Sequence, residues 1–146
     1  MQFLSFFATQ IDLENGTVIY SGAGHPGPLL IRRDDDNIEV LSSQNMLIGA
    51  EDRCLSKHPE DVRAVAPGDR LLFFTDGLTE SMDADGAMLG SDGLQRILDE
   101  TTAATVSELA DRIEQRVTQF RHGPPHDDMT LIVAELVEFG DCVPPG

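Results

Sequence analysis

Apolar and polar positions alternate or cluster along this chain in a way that predicts short strands first and helices late. Residues Phe3–Ile11 are rich in aromatic and apolar side chains, Asn15-Gly16 follows, and Thr17-Val18-Ile19-Tyr20 resumes the pattern. Asn-Gly between two such runs predicts a β-hairpin. A second hairpin is predicted by Pro28-Leu29-Leu30-Ile31-Arg32, the turn-forming run Asp34-Asp35-Asp36-Asn37, and the alternating Ile38-Glu39-Val40-Leu41. The pattern is irregular from Leu41 to Glu60. Val62–Val65 then reads as a half-buried strand before the turn Pro67-Gly68-Asp69. The short apolar run Arg70–Thr75 predicts a strand buried on both faces, ending at Asp76-Gly77.

The period changes after a polar, glycine-bearing stretch from Ser81 to Gly90. Leu94, Ile97 and Leu98 recur at helical spacing, and Val106, Leu109, Ala110, Ile113, Val117 and Phe120 mark one face of a second helix. Thr105 and Glu108 form a capping box at its start, and Gly123-Pro124-Pro125 stops it. Met129–Leu136 predicts a final buried-type strand. Five or six strands, two helices and a last strand define an α+β chain, with antiparallel pairing implied by the short hairpin connections.

The length of 146 residues fits one domain, taken as residues 1–139 with a flexible Pro/Gly-rich tail at 140–146. A net charge of −16 repels phosphate backbones and anionic lipid head groups, so neither nucleic acid nor a membrane surface is an expected partner. The same carboxylates can serve hard cations. Two cysteines, Cys54 and Cys142, imply no disulfide framework, and neither a signal peptide nor a membrane span is expected from the apolar pattern. A reducing, cytoplasmic setting is the expectation.

Two places combine a buried-type strand with a carboxylate at its end: Asp76 after Leu71–Thr75, and Asp127-Asp128 before Met129–Val133. A carboxylate at such a rim must be capped, paired or bound to a cation. If the two strands are close, the carboxylates converge on one cation; the plainer alternative is that Asp76-Gly77 is a turn and Asp127 an ordinary strand-start residue. The histidines and cysteines show no zinc-type spacing. Asp83, Asp85 and Asp92 read as members of a solvated loop.

The segments Thr75-Asp76-Gly77-Leu78-Thr79-Glu80, Pro67–Leu72 and Asp127-Asp128-Met129-Thr130, with Ala23-Gly24-His25-Pro26 and Leu47-Ile48-Gly49, together resemble the metal-dependent protein phosphatases of the PPM (PP2C-like) family, in its SpoIIE-like branch. The resemblance implies an αββα sandwich of antiparallel sheets flanked by helices, carrying a binuclear Mn²⁺ or Mg²⁺ centre. It implies hydrolysis of phosphoserine or phosphothreonine by a metal-activated water. Asp76 and Asp127 match family metal ligands, Asp128 a position beside the ligands, and Gly77 a residue required by the turn. His126, next to Asp127, is a candidate proton donor or an exposed loop residue, and His25 fixes a turn or takes part in catalysis.

The family domain begins well upstream of the segment matching Met1-Gln2-Phe3, with strands that carry a bridging aspartate. The expectation is therefore a domain without its N-terminal strands, one metal position incomplete, and weak or no activity for this chain alone. Unpaired sheet edges would favour a homodimer. The implied substrate is a small regulatory phosphoprotein of the anti-sigma-factor antagonist (STAS) type. A non-catalytic interaction module in signalling is the alternative, and a site-free α+β domain the plainest one.

Overall fold

A computed structural model describes residues 2–34, 37–50, 60–101, 105–125 and 127–138 of the chain. The chain folds as two compact units, one comprising the chain up to Arg70 together with its return from Glu135, the other Leu71–Ala134.

The first unit is built from hairpins. Strands β1 (Phe6–Asp12) and β2 (Thr17–Ala23) pair antiparallel from Phe6↔Ala23 to Asp12↔Thr17, and β5 (Asp61–Ala64) adds to the other side of β2. The predicted Asn-Gly signal falls in the loop that joins β1 to β2. Asn15 N–H donates to Asp12 Oδ1 at 3.0 Å, and Gly16 takes a φ of +61° that disfavours a β-carbon. Strands β3 (Leu29–Ile31) and β4 (Ile38–Val40) form the second antiparallel hairpin. Of its predicted turn, Asp35 and Asp36 lie outside the described residues.

One buried carboxylate ties this unit together. Asp69, in the predicted Pro-Gly-Asp turn, is 4% exposed and accepts hydrogen bonds from Arg32 Nη1 (3.0 Å), Arg33 N–H (3.1 Å) and Ala66 N–H (3.0 Å). Arg32 also donates to Ala64 O at 2.7 Å, so one guanidinium links β3 to the end of β5. Gly68 has a φ of +93°, and a β-carbon there would lie 2.3 Å from Arg33 Cδ. The turn can therefore present Asp69 only with glycine before it. Tyr20 stacks on Phe7 with ring centroids 5.7 Å apart, and Arg63 lies over the same ring.

The second unit holds strands β6 (Arg70–Phe74) from Leu71 and β7 (Leu131–Glu135) as far as Ala134, which are neighbours, and three helices: α1 (Asp76–Thr79), α2 (Gly90–Asp99) and α3 (Val106–Phe120). The apolar spacing of α3 puts Leu109, Ile113 and Val117 in the core, each contributing roughly 1.5–3 kcal/mol by burial. Its capping box is formed: Glu108 N–H donates to Thr105 Oγ1 at 3.4 Å and Thr105 N–H to Glu108 Oε2 at 3.0 Å, with the Thr105 hydroxyl also donating to Glu108 Oε2 at 2.9 Å. The backbone bond, then the hydroxyl, holds the Glu108 carboxyl below its usual pKa. The cap is thus at full strength above the ordinary glutamate range and is lost as pH falls through the lowered value.

Two differences from the sequence expectations stand out. A third helix, α1, occupies the segment read as a turn; a single helical turn is too short to display a period. Strand β7, expected to be buried, leaves Ile132 56% exposed, because successive side chains point to opposite faces of the sheet and that of Ile132 points to the less covered one. Among the described residues, no helix is long and apolar enough to cross a membrane.

Asp69→Ala is expected to cost about 3 kcal/mol, since it leaves the Arg33 and Ala66 N–H donors without their acceptor and removes the buried partner of Arg32, which among the described residues keeps only the half-exposed Glu39 as counter-charge. Urea unfolding checks this as a lower midpoint at unchanged m-value; a midpoint equal to that of the parent chain would contradict it.

Candidate functional site

The acidic edge of the second unit is set by a threonine. Thr75 stands at the N-cap of α1 with extended backbone (φ −89°, ψ 158°), yet its hydroxyl does not cap the helix. Instead Oγ1–H donates to Asp128 O at 2.9 Å and Oγ1 accepts from Thr130 N–H at 2.9 Å, while Thr75 N–H donates to Thr130 O at 3.1 Å. Three hydrogen bonds thus fix the segment before β7 to the end of β6. The strands feed their carboxylates to one edge because these bonds set the register.

Gly77 makes the approach close enough. A β-carbon on it would lie 2.7 Å from Asp128 O and 3.3 Å from Asp127 O, so any side chain would push the acidic segment away. This is a contact requirement, separate from any need for positive φ. Ser81 Oγ–H donates to Gly77 O at 3.1 Å and closes the far end of α1.

Asp76 and Asp127 are both exposed and sit on either side of this junction. Each uses one oxygen locally: Asp76 Oδ1 accepts from Gly77 N–H at 3.0 Å, and Asp127 Oδ1 accepts from Asp128 N–H at 2.8 Å. Neither forms an ion pair with a described residue. The second oxygen of each is thus open to solvent or to a cation. Asp128 contributes its backbone carbonyl to the Thr75 bond, which makes its main chain part of the scaffold.

The structure brings Asp76, Gly77, Asp127 and Asp128 together and leaves other candidates elsewhere. His25 belongs to the first unit, where its Nδ1 lies 2.9 Å from Pro26 O, within the bend after β2. His126 lies outside the described residues. Asp83 is used by its own loop, accepting from Asp85 N–H and Ala87 N–H at 2.9 and 2.8 Å, and Asp92 lies in the first turn of α2. Thr75 and Ser81 hold the edge in place, but neither was singled out by sequence. Thr75 stands in the Thr-Asp-Gly block, whose order carries no sign of a partner 53 residues away.

Two hard carboxylate oxygens suit a divalent cation such as Mg²⁺ or Mn²⁺, which is commonly bound through one or two carboxylates with water and phosphate oxygens completing the shell. Among the described residues, no group of three or more His, Cys, Asp or Glu is placed to hold a metal ion. The donors therefore fit one cation in kind, with few protein ligands.

With this geometry goes a family. Residues 1–137 match the family described as Stage II sporulation protein E (SpoIIE), and the chain belongs to it. Phosphoserine phosphatase RsbU of Bacillus subtilis (strain 168) is 24% identical over 132 residues, which are 90% of this chain and 38% of RsbU. The chain thus spans well under half of that relative. The SiaA-PP2C domain of Pseudomonas aeruginosa superposes at a TM-score of 0.76, with 19% identity, over 92% of this chain and 52% of that one. The catalytic domain of serine threonine protein phosphatase PstP in complex with 2 manganese ions superposes at a TM-score of 0.64, with 18% identity, over 93% of this chain and 60% of that one. The α+β, PP2C-like fold is the one the sequence resemblance implied.

Thr75→Val removes the hydroxyl at nearly constant volume and is expected to cost about 1–2 kcal/mol, because Asp128 O and Thr130 N–H lose their partner. The Thr130 amide should lose hydrogen-exchange protection selectively, while Thr75→Ser retains it. Unchanged protection in Thr75→Val would show that the hydroxyl does not hold the segment.

Proposed function

We propose that this chain carries part of the catalytic machinery of a divalent-metal-dependent protein serine/threonine phosphatase. The observation that carries the reading is the junction at Thr75 and Gly77, which holds Asp76 and Asp127 at one edge with an oxygen of each unengaged. Asp76 and Asp127 are the residues that would hold the cation; Gly77 and Asp128 shape the edge, and neither His25 nor His126 is needed as a ligand. A bound Mn²⁺ or Mg²⁺ supplies Lewis acidity toward water and neutralises phosphoryl charge. Net reaction breaks the phosphorus–oxygen bond of phosphoserine and forms one to water, releasing serine and inorganic phosphate.

This chain's own contribution is placement. Main-chain and threonine hydrogen bonds are neutral, so they hold two like-charged side chains together without cancelling the charge that attracts a cation. The name of RsbU and the manganese of the PstP complex support phosphoserine as the reacting group and manganese as a suitable ion. A small regulatory phosphoprotein, of the anti-sigma-factor antagonist type, is the substrate class the resemblance favours. The sparse ligand set favours low affinity for the metal and slow turnover by the 146-residue chain itself. It also favours the second reading, a PP2C-like module that binds a signalling partner without catalysis.

Titration of Mn²⁺, followed by loss of the free-ion electron paramagnetic resonance signal, is expected to show binding that weakens on the order of 100-fold in Asp76→Asn and in Asp127→Asn. Hydrolysis of a chromogenic aryl phosphate, if measurable, should require Mn²⁺, disappear with chelator, and vanish in both variants. Mn²⁺ affinity unchanged by both substitutions would remove these residues from the site. Binding without turnover, even with a phosphoserine peptide, would favour the module.

A further inference from the structure

A groove in the second unit opens beside the acidic edge, with a volume of about 240 Å³. Its apolar lining includes Leu78, Val117, Met129 and Leu131, and its α3 side carries Asp111 and Glu114. Leu78 lies two residues after Asp76, and Met129 two residues after Asp127, so the groove borders the two segments that carry the candidate ligands. Asp111 and Glu114 are exposed, and neither is ion-paired with a described residue. Apolar surface flanked by two unneutralised carboxylates is complementary to an aliphatic side chain accompanied by lysine or arginine.

The charge along the groove has a direction. Arg121 follows the end of α3 and places Nη1 3.7 Å from Met129 Sδ, with no carboxylate partner among the described residues. At 1.5 Å rise per residue, Arg121 stands roughly 10 Å along the α3 axis from Glu114. The unpaired carboxylates of α3 thus mark one end, and Arg121 is the cationic group at the other, beside the segment of Asp127 and Asp128 whose charge a bound cation would offset. A phosphoserine peptide matches this order when its phosphate lies toward Arg121 and its basic residue toward Asp111 and Glu114.

Long-range electrostatics point the same way. A phosphoseryl group carries about −1.5 to −2 charges at neutral pH, and it must approach a chain of net charge −16. Basic residues beside it offset that repulsion and raise the encounter rate, most strongly at low salt.

The geometry points to this groove as the docking site for the substrate segment, an aliphatic residue with lysine or arginine beside a phosphoserine; the assignment rests on the phosphatase reading and specifies its substrate. The test is fluorescence anisotropy at low salt, without metal so that no turnover occurs, using labelled phosphoserine peptides with a leucine flanked either by lysines or by glutamates. The parent chain is expected to bind the lysine peptide at least about 10-fold tighter than the glutamate peptide. D111K/E114K, an exposed-surface change checked for folding by circular dichroism, should abolish or reverse that preference. Arg121→Gln should weaken the phosphorylated lysine peptide more than its unphosphorylated form.

Equal affinity for the two peptides, no binding of either, or a preference unaltered in folded D111K/E114K would overturn the assignment. Charge-selective peptide binding together with Mn²⁺ affinity indifferent to Asp76 and Asp127 would leave the groove standing and remove the catalytic reading alone.

Discussion

The hydroxyl of Thr75 is the interaction on which the acidic edge depends. It is at once a donor to Asp128 O and an acceptor from Thr130 N–H, and Thr75 N–H adds a third bond to Thr130 O. Hydrogen bonds of this kind contribute about 1 kcal/mol each. Repulsion between two exposed carboxylates in water is about 1 kcal/mol even at about 4 Å. Neutral bonds therefore suffice to hold Asp76 and Asp127 on one edge before any cation arrives. Had the edge been held by ion pairs, the same carboxylates would have been neutralised by protein and closed to a metal.

Both units carry paired and unpaired carboxylates. In the first, some carboxylates are paired, Asp69 and Glu39 with Arg32, Asp61 with Arg63, and Glu135 with Arg70, while Asp12, Glu14, Asp34 and Glu60 have no ion-pair partner among the described residues. Asp69 is buried, which is tolerable because a guanidinium and two backbone donors surround it. In the second, Glu100 pairs with Arg116, but Asp76, Asp111, Glu114 and Asp127 are exposed and have no ion-pair partner among the described residues. Unpaired surface carboxylates cost little in water, so they are free to serve ligands. At Asp76 and Asp127 it is the geometrically fixed edge, together with the absence of pairing, that marks the candidate functional charges.

Local chemistry made much of the fold legible. Asn15-Gly16 and Pro67-Gly68-Asp69 announce turns whose positive φ or close contacts need glycine, and Thr105 with Glu108 announces the cap of α3. The three buried residues of α3 follow from its period alone. What stayed hidden is non-local or too short. Ile132 looks like a core residue because an apolar run does not reveal which face of β7 is left uncovered. Helix α1 has too few residues to show a period, and the bond from Thr75 to Asp128 joins positions 53 apart. Asp76 and Asp127 were visible as strand-end carboxylates, but only the family resemblance favoured a shared cation over two separate turns.

Family membership and site chemistry answer different questions here. The SpoIIE match says which family the chain belongs to and the PP2C-like neighbours which fold it has, while reaction and substrate must be read from the site and the surfaces on that scaffold. The leucine- and methionine-lined groove is near the edge because Leu78 and Met129 are carried by the same two segments that carry Asp76 and Asp127. Gly77, by allowing those segments to touch, sets the spacing of both features. A side chain at position 77 would therefore disturb the groove as well as the carboxylates, whereas charge changes at Asp111 and Glu114, on α3, would alter one and spare the other. The fold thus separates the groups that would hold a cation from those that would choose the peptide, although both depend on one close contact between backbones.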